Sequence, residues 1–255
     1  MLFVLTFKQG IVHCFPNSCY DESLRDYVIL IHAFLYVSVA SSATVKPHNV
    51  NVTSVTKGTN VTATGPRIVG GRDAKPGEFP WQVSVRSGTE SHFCGGAVLN
   101  ATTVVTAAHC VYQRSPEFIR AMSVMAGSIL QSQPGATAYV LDALVHPDYG
   151  NVYQEYDIAL LFLAEALPLD AGIWPVQLQE NELPEGTLCV ASGWGRTVDS
   201  KAAPIPDNLQ AVDLPIIDAK KCNDMYMEEE DYSPVIESQI CAGYVEGGKD
   251  SCQVR

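Results

Sequence analysis

Positive charge is what this chain has least of. Its 16 lysines and arginines stand against 28 aspartates and glutamates, a formal net charge of −12 over 255 residues. Neutralising phosphates needs a basic surface, so this balance argues against a nucleic-acid partner. The acidity is concentrated in Glu228-Glu229-Glu230-Asp231, which reads first as a solvated loop and second as a docking point for a basic partner. A long hydrophobic run is also missing. The most apolar stretch, residues 27–43, is short for a span, since crossing a bilayer takes about 20 apolar residues. A membrane partner is therefore not expected. No internal repeat stands out, so a repeat architecture is not indicated. His92, His109 and His146 are too scattered to suggest a zinc site, and no metal or cofactor is expected.

What is present suits a packed, exported protein. Apolar residues make up 47% of the chain, enough for one large domain or two small ones. Eight cysteines fit an oxidising compartment, where disulfides persist. Glycosylation sequons occur at Asn51, Asn60 and Asn100, and glycans are added in the secretory pathway. Residues 27–43 look like a signal-peptide core, with Ser38-Val39-Ala40 as a small-x-small cleavage pattern. The flank departs from that pattern, because Asp21, Glu22 and Asp26 surround Arg25 where a basic segment belongs. Residues 1–43 therefore read as an extension with a signal or an anchor. Residues 44–67 read as an irregular pro-segment, polar and without amphipathic period.

The pattern changes after Ile68. Trp81, Val83 and Val85 alternate with Gln82, Ser84 and Arg86, the signature of a half-buried strand. Further strands are predicted over residues 95–99, 102–107, 138–146, 158–163, 188–192 and 209–216. A short helix is predicted over residues 218–226, with Asp218 as its N-cap. Many short strands separated by Pro and Gly clusters indicate an all-β barrel or sandwich.

Three segments carry more than fold. Arg67-Ile68-Val69-Gly70-Gly71, Thr106-Ala107-Ala108-His109-Cys110 and Asp157-Ile158-Ala159-Leu160 occur in that order. Ile240-Cys241-Ala242-Gly243-Tyr244 and Asp250-Ser251-Cys252-Gln253 follow. Together they resemble the trypsin-like serine protease family over residues 68–255. The resemblance implies two antiparallel β-barrels with an active site in the cleft between them, the first complete and the second incomplete.

It also implies roles. His109 would be the general base, suited to it because imidazole titrates near neutrality. Asp157 would orient the imidazole and stabilise its charged form. Asp250 would sit at the floor of the specificity pocket and pair with a substrate Arg or Lys. Cleavage after Arg67 by an activating protease would free the Ile68 amine. Cys94–Cys110 and Cys222–Cys241 match two family disulfides, whereas the partners of Cys189 and Cys252 would lie beyond residue 255 and leave both thiols stranded. Some members hold calcium in a loop of the first barrel. The matching residues 127–135 offer no carboxylate, so no metal is expected there.

One part of the family pattern does not arrive. Gly-Asp-Ser-Gly-Gly-Pro, which bears the nucleophile, would follow Gln253, and Val254 and Arg255 stand in its first two positions. Without that serine and its oxyanion hole, no peptidase activity is expected of these residues. The leading reading is thus a secreted trypsin-like endopeptidase zymogen by ancestry, acting on protein or peptide substrates after Arg or Lys. Two rivals remain: a non-catalytic homologue that binds proteins, and a membrane-tethered protease held by residues 27–43. An open second barrel would also expose strand edges and favour aggregation.

Overall fold

A computed structural model of the chain describes residues 3–5, 11–14, 36–38, 71–150, 156–169, 172–179, 181–195, 204–226 and 239–245. The N-terminal region contributes β1 (Phe3–Leu5), β2 (Ile11–Cys14) and β3 (Tyr36–Ser38), followed by β4 (Arg72–Asp73). Then come β5 (Gln82–Arg86), β6 (His92–Asn100), β7 (Thr103–Thr106), helix α1 (Pro116–Ala121), β8 (Ser123–Ala126), β9 (Ala136–Val145) and β10 (Ala159–Leu163). The chain continues through β11 (Gln177–Gln179), β12 (Leu188–Gly193), β13 (Gln210–Ile217), helix α2 (Ala219–Tyr226) and β14 (Ile240–Ala242). Among the described residues no helix is long and apolar enough to cross a membrane.

Strands β5 to β10 close into a barrel in the order β10-β7-β6-β5-β8-β9. Val83, Val85, Val98, Val104, Val124, Val140 and Leu161 fill it, β-branched and branched residues that suit a pleated, buried surface. Gly96 lets β5 and β7 approach β6 closely. A Cβ there would lie 2.8 Å from the Val105 carbonyl oxygen and 2.9 Å from Val83. Helix α1 begins where local chemistry dictates: Ser115 Oγ accepts from the Phe118 amide at 3.2 Å, and Pro116 occupies the first turn.

Strand β5 departs from the half-buried expectation, for all five of its residues are buried. Its polar face is not solvated because the second sheet and neighbouring loops cover it. Ser192 Oγ donates to Gln82 Oε1 at 2.8 Å across 110 residues of chain. Arg86 Nη2 donates to the Gln131 carbonyl at 3.0 Å. Buried polar groups are tolerated when each finds a partner.

The second sheet runs β1-β14-β13-β12-β2-β3-β11, with β4 paired to β13, and remains open. Its centre is the antiparallel β12–β13 pair, in register from Leu188↔Pro215 to Gly193↔Gln210. Trp81, Ala97, Val105 and Leu160 from the barrel pack with Val190, Trp194, Leu209 and Ala211 from the sheet, which locks the two halves together. Helix α2 starts as expected at Asp218, whose Oδ1 accepts from the Lys221 amide at 3.0 Å. Within the apolar 27–43 stretch, the described residues 36–38 form β3, paired with β11.

Two disulfides are formed as the resemblance implied, Cys94–Cys110 and Cys222–Cys241. The expectation of a stranded thiol at Cys189 is corrected: Cys189 is disulfide-bonded within this chain. It is fully buried on β12, and β2 from the N-terminal extension occupies the neighbouring position. Family order offers no such neighbour.

Candidate active site

His109 and Asp157 lie 48 residues apart and meet at one end of the first barrel. His109 sits in a single 3-10 turn, Ala108–Cys110, directly after β7. The Cys94–Cys110 disulfide anchors that turn to β6. Below it, Thr106 Oγ1 donates to the Gly95 carbonyl at 2.7 Å. Asp157 precedes β10 and follows Tyr156, which adopts a left-handed φ of 55°. That turn is supported by stacking of the Tyr156 ring on His146, centroids 4.6 Å apart.

The carboxylate holds the histidine at two points. Asp157 Oδ1 accepts from the His109 backbone amide at 2.8 Å, and Oδ2 lies 2.8 Å from Nδ1. A carboxylate opposite Nδ1 places the ring proton there and leaves the Nε2 lone pair free to take another. The Asp157 side chain is 4% exposed and that of His109 20% exposed. The Asp157 carboxylate is therefore shielded while the His109 imidazole reaches the surface. Nε2 lies 3.5 Å from Cys110 Sγ.

Cys94, His109 and Cys110 bring three potential metal-ligand atoms within 4.8 Å of one another. The two sulfurs are bonded to each other, and a disulfide supplies no thiolate, so this cluster is not a metal site.

Residues 68–254 match the family model described as Trypsin. Trypsin-2 of Salmo salar is 37% identical over 190 residues, covering 73% of this chain and 75% of the relative. Trypsin 5G1 of Aedes aegypti is 36% identical, covering 73% and 68%. Trypsin theta of Drosophila melanogaster is 37% identical, covering 73% and 69%. The chain belongs to the trypsin family.

Around the trypsin-like pair stand residues that sequence patterns did not single out. Tyr149 packs edge-on against Tyr112, with centroids 4.9 Å apart. Its hydroxyl is pushed up to about 12 by burial, then by the charges of Asp157 and Tyr112, so it stays protonated at working pH. Gly150, with φ of 111°, lies under Tyr112, where a Cβ would come within 2.6 Å of the hydroxyl. The only sequence signal for this wall was the His146-Pro147-Asp148 turn just before it.

A second polar group connects the two halves of the molecule. His92 Nδ1 lies 2.8 Å from Ser84 Oγ, and the ring meets Trp194 edge-on with centroids 5.7 Å apart. Arg86 Nε donates to the same Ser84 oxygen at 3.4 Å. Burial, then the Arg86 charge, push His92 down to about 4. It is neutral at pH 7 and serves packing.

Other expected site residues are distributed as follows. Asn100 ends β6, and its Oδ1 accepts from the Thr102 amide at 2.9 Å. Arg67, Ile68, Asn51, Asn60, the acidic 228–231 run, Asp250, Ser251, Cys252 and Arg255 all lie outside the described residues.

Proposed function

We propose that this chain carries the base and orienting acid of a secreted trypsin-like endopeptidase zymogen that cleaves peptide bonds after Arg or Lys. The observation that carries the reading is the two-point hold of Asp157 on His109. It fixes ring orientation and tautomer together, so that Nε2 can accept a proton from a serine hydroxyl attacking the scissile carbonyl. The charged imidazole then faces a shielded carboxylate, and it returns the proton to the leaving amine. This division of labour is the one known for the family.

Asp250 is assigned the recognition of the substrate cation, in line with relatives named as trypsins. Residues 68–255 are taken as the peptidase domain, 44–67 as the pro-segment and 1–43 as the extension with an export signal or anchor. An activating protease cuts after Arg67. Export is supported by the disulfides and by the sequons at Asn51, Asn60 and Asn100.

No Gly-Asp-Ser-Gly-Gly-Pro occurs within residues 1–255, so these residues by themselves form no acyl-enzyme. The rival reading is a protein-binding homologue without turnover. Purified 255-residue protein, before and after cleavage at Arg67, is expected to take no label from an active-site-directed phosphonate; stoichiometric labelling would overturn this. A longer chain in which Gly-Asp-Ser-Gly-Gly-Pro follows Gln253 is expected to be labelled and to hydrolyse Arg or Lys substrates. Undiminished hydrolysis in its His109→Ala variant would sink the assignment of the base. Absence of turnover in that longer chain would favour the binding homologue.

A further inference from the structure

We propose that the stacked rings of His146 and Tyr156 are the positioning device of the His109–Asp157 pair: they hold the turn that carries Asp157, and through it set the carboxylate against His109. The role rests on the reading of His109 and Asp157 as base and orienting acid. Both rings act through Asp157 and are positioning residues.

Asp157 sits in a turn that needs holding. The Ile158 amide donates to the Tyr156 carbonyl at 2.6 Å, which makes Asp157 the centre of a three-residue turn. Tyr156, just before it, holds a left-handed φ of 55°. A bulky L-residue is disfavoured there, because its Cβ crowds the backbone carbonyl. Released, Tyr156 would return to the extended or right-handed region and carry Asp157 with it. A backbone outlier beside a reactive group points to a function that requires it to be held.

The restraint comes from His146. This residue directly follows β9, whose last residue, Val145, pairs with Ala159, and it therefore reaches both residues that flank Asp157. Its amide donates to the Ile158 carbonyl at 3.1 Å. Its ring lies on that of Tyr156, with centroids 4.6 Å apart and planes 8° from parallel. The histidine is itself fixed. Its side chain is fully buried, Nδ1 accepts from the Asp148 amide at 3.1 Å, and its carbonyl accepts from the Tyr149 amide at 3.1 Å. A ring already ordered by its own turn offers Tyr156 a platform at little further cost in rotamer entropy.

The precision matters because Asp157 meets His109 through both carboxylate oxygens, at 2.8 Å each. Rotation of the turn lengthens at least one of these bonds. Without the stack Asp157 would keep its charge and lose its aim, and the His109 ring proton would no longer be pinned to Nδ1. Such a loss falls on the chemical step rather than on substrate binding.

The test removes the stack while preserving the backbone. Tyr156→Gly takes away one ring at a position where glycine accepts a left-handed φ freely. His146→Asn takes away the other and keeps, in Oδ1, an acceptor for the Asp148 amide. In the 255-residue chain the readout is the 15N-coupled Nδ1 proton resonance of His109, visible in wild type because the carboxylate protects that proton from exchange. Both variants are expected to lose it while the barrel-core methyl resonances stay dispersed. Tyr156→Phe, which restores a ring, is expected to recover it. In a longer chain that carries Gly-Asp-Ser-Gly-Gly-Pro, each ring deletion should lower kcat by about 10²-fold and leave KM within about twofold. The double variant should fall no further than either single one, because the rings act as a unit.

A retained Nδ1 resonance in either variant, or additive losses of kcat in the double variant, would overturn the proposal. So would collapse of the core resonances in Tyr156→Gly, which would make the stack a requirement of the fold instead of the pair. A wild type that lacks the resonance would overturn the pair and this proposal together. The resonance is read without turnover, so a longer chain that fails to turn over counts against the peptidase reading alone.

Discussion

His92 makes the stability of this molecule depend on pH in a window that can be placed. Its ring accepts from, or shares a proton with, Ser84 Oγ at 2.8 Å, and the same oxygen accepts from Arg86 Nε at 3.4 Å. A protonated ring would have to donate to Ser84 beside the Arg86 guanidinium, so burial and that charge push its pKa from an ordinary 6.5 down to about 4. The folded pKa lies below the unfolded one, so the unfolded chain binds more protons between those values. Stability from this residue is full above pH 6.5 and drains away as pH falls toward 4. A gap of about 2.5 in pKa, at about 1.36 kcal/mol for each, sets a ceiling of about 3 kcal/mol. Part of the residue reaches solvent, so a loss of about 2 kcal/mol is the expected size. Urea unfolding followed by tryptophan fluorescence at pH 7, 6, 5 and 4 would measure it, comparing wild type with His92→Gln. Carboxylates weaken both proteins in acid, so the readout is the difference between them. Wild type should be the more stable at pH 7, with the gap closing by about 2 kcal/mol by pH 4. A gap that does not change with pH refutes the reasoning.

Two further predictions concern the barrel and the pair. Asp157→Asn presents an amide to His109 Nδ1 and should move the ring proton to Nε2, seen as exchanged nitrogen shifts in 15N NMR; unchanged shifts would deny Asp157 its orienting role. In a longer chain that carries the Gly-Asp-Ser-Gly-Gly-Pro segment and shows turnover, the same change should cost on the order of 10⁴ in turnover, the size known for it in this family. Gly96→Ala drives a Cβ against the Val105 carbonyl, which has no freedom to move within the barrel. It should cost about 1–3 kcal/mol, measured as a lower urea midpoint, and a neutral result would mean that β6 and β7 separate more easily than their packing implies.

Much of the first barrel was legible because its signals are local. The strands predicted over 138–146 and 158–163 and the helix capped by Asp218 each fall within a few residues of β9, β10 and α2. The His109–Asp157 pair was legible for a different reason: each sits in a segment distinctive enough to be matched by itself, and the fold then brings them within 2.8 Å. Strand β8 was missed because Ser123–Ala126 is too short and too uniformly buried to show a period. The buried polar face of β5 was missed because its partners, Ser192 and Gln131, are far away in the chain.

The sequence by itself thus determined the family, most of the strands in the barrel half and the two segments that the fold brings together at His109 and Asp157. These are properties of short windows, where side-chain period and residue type act on neighbours. Only the tertiary structure decided that polar Gln82, Ser84 and Arg86 are buried, that His92 is held neutral, and that residues 3–5, 11–14 and 36–38 pair with strands of the second sheet. Each depends on surfaces meeting across tens to hundreds of residues, and hydrogen bonding between strand edges reads backbone availability and register, which no local pattern of side chains encodes.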